Sequence, residues 1–384
     1  MPVSAAMVLA TIVLGIWVYL LLGRGWFWLP QFLPPVPALA RRPRIVAVMP
    51  ARNEAAVVGE AVASVLTQDY PGAFSLVLVD DHSSDGTVAV ARAAALAVGR
   101  SDGLTVVSAR ALPPGWSGKL WALSEGVRWV EEQATPPDLY LFTDADIAHP
   151  PNNLAKLVAT LEGRGFDLVS LMVTLRCQSI AERFLIPAFV FFFAMLYPFS
   201  WASDPRRRTA AAAGGCVLMR RDIYHRVGGY AAIRGALIDD CALARAVKPH
   251  GRIHLALSRR TRSLRPYPRF GDIWSMVART AYAQLFHSPA VLAATVLGMG
   301  LTFLAPPFLV FAGDASAWLA GGAWAAMIVA YAPMLRFYRR SPLWAPLLPL
   351  VALIYVAATL DSAWRYYRGR GGEWKGRVQW QSQR

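Results

Sequence analysis

The residues able to do chemistry lie in a few short stretches. Asp144-Ala-Asp146 ends the apolar run Leu139-Tyr-Leu-Phe. Two carboxylates one residue apart at a strand end can put one side chain on a divalent metal and the other on a ribose or a bound water. A divalent cation neutralises the charge that builds on a departing diphosphate. Such a pair alone is close to chance frequency, so its weight comes from its position and its company. Val77-Leu-Val-Asp80-Asp81 ends another apolar run and is followed by Ser83-Ser84-Asp85-Gly86-Thr87. There Asp81 can accept from a base N–H or a ribose hydroxyl, while Asp85 can cap the next helix.

Pro50-Ala-Arg52-Asn53-Glu54 closes an earlier apolar run, and Gly118-Lys119 opens a helical stretch. Backbone N–H groups and an ammonium converge on a phosphate at such a helix start, although a lysine in a first turn is equally ordinary surface. Ala213-Gly214-Gly215-Cys216 and Val227-Gly228-Gly229-Tyr230 are glycine-rich turns, suited to close approach of a sugar or to tight packing. Leu237-Ile-Asp239-Asp240 is a second acidic pair, in which Asp239 can also serve as an N-cap.

The elements that must position these residues follow from periodicity. From Arg44 to about Leu175, short β-branched runs alternate with helical segments, the pattern of an α/β domain. Strands are expected at Ile45 to Met49, Leu76 to Val79, Leu104 to Val107, Leu139 to Phe142 and Leu168 to Met172. The helices between them start near Ala55, Asp85, Lys119 and Asn152, and each crossover is long enough for a parallel sheet. The acidic stretches then sit at carboxyl ends of strands, where open α/β sheets bind ligands.

The 384 residues hold one sizeable domain and several membrane segments. The chain is 55% hydrophobic and only 16% charged, against about 25% charged for an average soluble protein, so a bilayer covers part of its surface. Net charge is +15, with arginines such as Arg41, Arg42 and Arg44 beside apolar segments, which favours anionic lipid and anionic substrates. No zinc-finger, KH or RRM signature accompanies the charge, which argues against nucleic acid. Cys177, Cys216 and Cys241 form no C-x-x-C pair and read as free thiols in a reducing compartment.

Val3 to Leu22 is long and apolar enough for a retained membrane anchor rather than a cleaved leader. Its basic flank at Arg41 to Arg44 places the next domain in the cytosol. The expected organisation is an anchor over 1-25, a catalytic domain over 40-285, membrane helices over 289-361 and a basic tail over 362-384. Ala290 to Ala312 and Ala315 to Leu335 read as a hairpin turned at Gly313 and Asp314. Leu343 to Leu360 either spans, which puts the tail outside, or uses Pro346 and Pro349 to run re-entrant or interfacial. The latter, preferred here, returns the tail to the cytosol. Phe184 to Trp201, interrupted by Pro187 and Pro198, fits an interfacial helix or a buried core helix.

The order of motifs resembles the family 2 glycosyltransferases of the GT-A fold. The likeness runs from Ile45 to His250 and rests on Pro50-x-x-Asn53-Glu54, the Asp80-Asp81-x-Ser83-x-Asp85-Gly86-Thr87 turn, Gly118-Lys119 and Asp144-x-Asp146. The resemblance implies a Rossmann-like, mainly parallel sheet and a nucleotide-sugar donor, with UDP expected. Donor-binding residues would be Pro50, Asn53, Glu54, Asp81, Lys119 and Asp144, with a Mg2+ or Mn2+ ion on Asp146 and Asp144. Gly214, Gly215, Asp239 and Arg279 would lie on the acceptor and diphosphate side. Asp240 would be the general base, since transfer with inversion needs a carboxylate beside the acceptor hydroxyl.

Met276-Val-Ala-Arg279-Thr280 keeps only the Arg of the Gln-x-x-Arg-Trp found in processive relatives, which argues against a polymerising enzyme. The tail Gly369 to Arg377 resembles the ending of ceramide- and carotenoid-type lipid transferases, and the chain as a whole is similar to the hopene-associated glycosyltransferases of bacteria. That likeness implies a hopanoid or isoprenoid lipid acceptor at the inner membrane. Transfer to a polyprenyl phosphate, or a catalytically inert scaffold of a lipid pathway, are the alternatives.

Overall fold

In a computed structural model of the chain, residues 4–35, 39, 41–312, 315–371, 373–374 and 377–378 are described. Eight strands form one sheet: β1 Ile45–Ala51, β2 Phe74–Asp80, β3 Leu104–Ser108, β4 Leu139–Thr143, β5 Ile147–Ala148, β6 Leu168–Thr174, β7 Cys216–Arg220 and β8 Ile253–Ser263, in the order β3-β2-β1-β4-β7-β6-β8-β5. Every residue of β1 is buried, as expected for a central parallel strand covered on both faces. Ile45, Ala47 and Met49 face a core shared with helices Val58–Leu66 and Asn153–Arg164. Val46 and Val48 face another, shared with helices Gly118–Glu131 and Asp239–Val247.

The α/β class and the mainly parallel sheet are as expected, and the five expected strands and four helix starts are each present within three residues. One expectation needs correction. Leu168–Thr174 does not extend the parallel run beyond β4, because β7 lies between them, antiparallel to both. An apolar run buried on both faces has the same composition whichever way its neighbours point, so pattern alone does not fix direction. Helix Gly118–Glu131 sits very low on the sheet. A Cβ at Gly126 would come within 2.5 Å of Val48 Cγ1 and 2.7 Å of Val79 Cγ2, so only glycine permits this seat for the helix that carries Lys119.

The stretch expected at Phe184 to Trp201 forms helix Ile180–Leu196 and, after Pro198, the short helix Phe199–Ser203. The first begins in a capping box between Ser179 and Glu182, which satisfies orphan N–H groups at its start. Among the described residues, four helices are long and apolar enough to cross a membrane: Ala5–Gly23, Pro289–Ala312, Ser316–Phe337 and Pro342–Tyr367.

These helices share a third core with Ile180–Leu196. Trp17 donates to Thr302 O at 2.7 Å, Phe191 packs edge-on to Tyr331, and Phe192 packs edge-on to Tyr355. Pro342–Tyr367 meets the domain side at both ends. Trp344 packs on Phe184, and Tyr366 stacks on His287, two residues before Pro289. The turn at Gly313 and Asp314, and much of the tail motif, including Gly372, Lys375 and Gly376, lie outside the described residues.

Candidate active site

The ends of β1, β2 and β4 lie side by side because these strands are parallel neighbours. The loops that follow β1 and β2 are laced together. Asn53 N–H donates to Ser83 Oγ at 3.0 Å, Ser84 N–H donates to Asn53 Oδ1 at 2.9 Å, Glu54 N–H donates to Thr87 Oγ1 at 2.9 Å, and Ala55 N–H donates to Asp85 Oδ2 at 3.0 Å. Asn53 has φ of 51°, a left-handed conformation that asparagine tolerates better than most residues. Asn53 and Asp85 are therefore braces of the loop pair. Asp81 lies beneath, buried, with Arg52 Nη1 3.6 Å from its carboxylate.

Lys119 is the hub of the site. The Gly118–Glu131 helix, capped by the Ser117 hydroxyl, brings its ammonium to 2.9 Å from Asp144 Oδ1 and 3.1 Å from Asp239 Oδ2. Burial alone would push the ammonium down, but Asp144 and Asp239 outweigh it and hold Lys119 above its ordinary range, protonated. Asp144 is pushed up to about 6, by burial first and then by Asp146 and Asp239, with Lys119 opposing. Asp239 is the first residue of helix Asp239–Val247 and makes no cap; its carboxylate is spent on Lys119 instead.

Asp240 Oδ2 accepts from Gly214 N–H at 2.8 Å, and burial together with Asp239 lifts its pKa to about 6. A Cβ at Gly214 would come to 3.1 Å from Lys119 Nζ and 3.5 Å from Asp240 Oδ2, while one at Gly215 would meet Ile147 at 3.3 Å. Gly214 thus lets Lys119 and Asp240 close on the backbone, and Gly215 serves packing. Gly215 also accepts from the Thr143 hydroxyl at 3.0 Å.

Asp146 pairs with a different cation. Its Oδ2 takes Arg265 Nε at 3.1 Å and the Ser263 hydroxyl at 3.1 Å, and Arg265 Nη2 reaches Glu54 Oε1 at 2.6 Å. Burial pulls the Arg265 guanidinium down, and Asp146 and Glu54 more than restore it. Arg279 is exposed on helix Phe270–Gln284, near enough to Tyr267 for its charge to act there alongside that of Arg265. Pro50 lies within β1, before the braced loop.

The sequence therefore pointed to residues that come together, but it did not single out Arg265, Ser263 or Arg52. Arg52 stood inside a recognised motif. Arg265 lies 119 residues from Asp146, with nothing local to link them. A groove of about 510 Å3 between Arg41–Pro43 and Arg220–Asp222 opens at the opposite, amino-terminal ends of β1 and β4 and includes none of these residues.

Five carboxylates (Glu54, Asp144, Asp146, Asp239 and Asp240) face two cations, Lys119 and Arg265, so the cavity as built repels a diphosphate. Its available ligands are carboxylate oxygens, which suit Mg2+ or Mn2+. Among the described residues no group of three or more His, Cys, Asp or Glu side chains could hold a metal. One or two carboxylates completed by phosphate oxygens and water is how such ions usually bind, and Asp144 with Asp146 fits that pattern.

A family model described as glycosyltransferase like family 2 matches residues 43–283. No curated protein matches the sequence. Among solved structures, a mannosyltransferase from Pyrobaculum calidifontis, in complex with GDP-Man and Mn2+, is 19% identical with a TM-score of 0.55, covering 94% of this chain and 99% of its own. Glucosyl-3-phosphoglycerate synthase from Mycobacterium tuberculosis, solved with Mn2+ and UDP-glucose, is 21% identical with a TM-score of 0.43, covering 67% and 87%. Mannosyl-3-phosphoglycerate synthase from Rubrobacter xylanophilus is 19% identical with a TM-score of 0.39, covering 64% and 75%.

Proposed function

Since the chain belongs to glycosyltransferase-like family 2 and is a glycosyltransferase, we propose that it moves a hexose, with inversion, from a UDP-sugar to a hydroxyl of a membrane lipid. The lipid we assign to the hopanoid or isoprenoid class, following the resemblance to the hopene-associated group. One observation carries the reading: Lys119 bridges Asp144 and Asp239, next to an Asp240 carboxylate fixed by Gly214 N–H. A donor-side acid and an acceptor-side base thus flank one ammonium.

In this mechanism Asp81 receives the base, and Asp144 and Asp146 hold a divalent metal that supplies charge neutralisation at the diphosphate. Lys119, with Arg279 at the rim, adds positive charge beside the leaving group. Asp240 accepts the proton of the acceptor hydroxyl as the new O–C1 bond forms opposite the breaking C1–O–P bond, and the nucleoside diphosphate leaves.

The same reading gives residues 40-285 a cytosolic position at a bacterial inner membrane, between the anchor 1-25 and the helices of 289-361, with the basic tail 362-384 also cytosolic. Ala5–Gly23, Pro289–Ala312 and Ser316–Phe337 cross, while Pro342–Tyr367 lies along the cytosolic interface. Support for that last placement comes from its ends, which pack on Phe184 and on His287 and Tyr282, and from Arg339 and Arg340 just before it and Arg365 and Arg368 in and after its last turn.

Mass spectrometry of total lipids from the host, with the wild-type chain or Asp146→Ala, tests the proposal. Loss of one glycolipid in the variant names sugar and acceptor together. An unchanged lipid profile sinks the acceptor assignment.

A further inference from the structure

The connection from β8 to helix Phe270–Gln284 takes no part in the transfer chemistry above, yet it carries Arg265 onto Asp146. Its course is fixed at several points. Leu264 N–H donates to Asp146 O at 2.7 Å, Tyr267 N–H donates to Glu182 Oε1 at 2.7 Å, and the Ser179 hydroxyl donates to Tyr267 O at 3.1 Å. Pro266 and Pro268 restrict the backbone between and beyond these anchors. Glu182 is buried and forms no ion pair among the described residues. Its second oxygen, Oε2, accepts from the N–H groups of Gln178 and Ser179 at 2.7 Å and 2.8 Å. A buried carboxylate spent entirely on backbone donors acts as a rigid clamp.

At the other end of the strap, both donors to the Asp146 carboxylate fall on one oxygen. Ser263 Oγ and Arg265 Nε each lie 3.1 Å from Oδ2, and among the described residues no protein group bonds Oδ1. Two donors on one oxygen fix the plane of a carboxylate and leave its other oxygen available. Partners of this kind orient metal-binding side chains.

We propose that Ser263, Arg265 and Glu182 are positioning residues that present Asp146 Oδ1 to the divalent metal. Glu182 thereby makes the first turn of helix Ile180–Leu196 part of the metal site. That helix packs on Ser316–Phe337 through Phe191 and Tyr331 and on Pro342–Tyr367 through Phe192 and Tyr355, so the membrane helices and the donor site share one support. The inference rests on the reading of Asp146 as a metal ligand.

An arginine that merely occupied the metal's place would predict the opposite sign. Its removal would leave one more uncompensated negative charge and tighten metal binding, whereas loss of an orienting partner weakens it. Mn2+ affinity of the full-length chain in detergent, with UDP present, is read by electron paramagnetic resonance. Asp146→Ala is expected to abolish binding. Ser263→Ala and Arg265→Met are expected to weaken it by about ten-fold or more, Arg265→Lys by less, with UDP affinity in EDTA unchanged. Glu182→Gln, and the milder Ser179→Ala in case the former does not fold, are expected to weaken it in the same direction.

Wild-type Mn2+ affinity in Asp146→Ala would bring down the metal reading itself. If Asp146→Ala abolishes Mn2+ binding but Ser263→Ala and Arg265→Met bind Mn2+ equally or more tightly, the positioning role is overturned. Weakening by those two, with Ser179→Ala and every folded Glu182 variant unaffected, overturns the link to the helix.

Discussion

Asp240→Asn separates catalysis from stability in a way the structure makes quantitative. The carboxylate uses both oxygens, Oδ2 on Gly214 N–H at 2.8 Å and Oδ1 on Cys241 N–H at 2.7 Å. Asparagine has one oxygen and keeps one of these bonds, so the lost contact costs about 1–3 kcal/mol. Against this, the pKa of Asp240 stands at about 6 against an ordinary 3.8. Ionising it at pH 7 therefore costs the fold up to about 3 kcal/mol, an upper bound because the side chain keeps partial solvent contact. Asparagine removes that cost.

The two effects oppose each other, and the variant should unfold within about 2–3 kcal/mol of the wild type. Its turnover should fall by about 10²–10⁴, the range for loss of a general base, or about 3–5 kcal/mol of barrier. UDP release from UDP-sugar in the presence of host lipid extract measures the rate, and UDP affinity should be unchanged. Turnover within ten-fold of the wild type would refute Asp240 as the base, and would favour an acceptor that is already an anion, such as a polyprenyl phosphate. In the wild-type chain, the acid limb of kcat should fall near pH 6 rather than near 4, since the base must be ionised to work.

Two further outcomes follow from neighbouring residues. Gly214→Ala puts a methyl 3.1 Å from Lys119 Nζ and 3.5 Å from Asp240 Oδ2; kcat should drop at least ten-fold while nucleotide affinity holds, and unchanged kcat would mean the pair tolerates separation. Burial lowers the pKa of His149 to about 4, so the unfolded chain binds the extra proton below about 6.5 and stability is lost as pH falls through that value, by about 2 kcal/mol between pH 6.5 and 5. Denaturant titrations in detergent should show that slope in the wild type and a flatter one in His149→Gln, and equal slopes would exclude a neutral buried His149.

The parts of the fold legible in the sequence are those where one local signal suffices. β1, β2 and β4 read as buried strands because each is an apolar run ended by acidic or turn residues, and their carboxyl ends do gather Glu54, Asp81 and Asp144. The antiparallel β7 between β4 and β6 was not legible, since direction is set by a neighbour that is distant in sequence. Motif position also said more about location than about contact. Nothing in its motif announces that Asn53 joins two loops through its amide oxygen and positive φ. The Gly118-Lys119 motif likewise does not announce that the ammonium links two carboxylates, Asp144 and Asp239. Arg265 carried no signal at all, being one arginine among 39 basic residues.

Hydropathy has a similar blind spot at Pro342–Tyr367. Pro342–Tyr367 contains an 18-residue stretch of mean hydropathy 2.0, its 26 residues form a helix of about 39 Å, longer than the roughly 30 Å hydrocarbon core, and the score is the same whether the helix crosses or lies flat. What distinguishes the two is where its ends go. A crossing helix separates its ends by the full membrane, but here the first turn follows directly from Ser316–Phe337 and packs on Phe184, while the last turn packs on Tyr282 and His287, just before Pro289. If Pro289–Ala312 and Ser316–Phe337 form a hairpin, those two points lie on one side. Trp274 Nε1 bonds Asp361 at 2.7 Å and Tyr282 N–H bonds Ser362 Oγ at 3.0 Å, so the second half of the helix is tied to Phe270–Gln284, the helix that the Arg265 strap leads into. Ties at both ends and along this flank are what support the interfacial placement proposed for this helix.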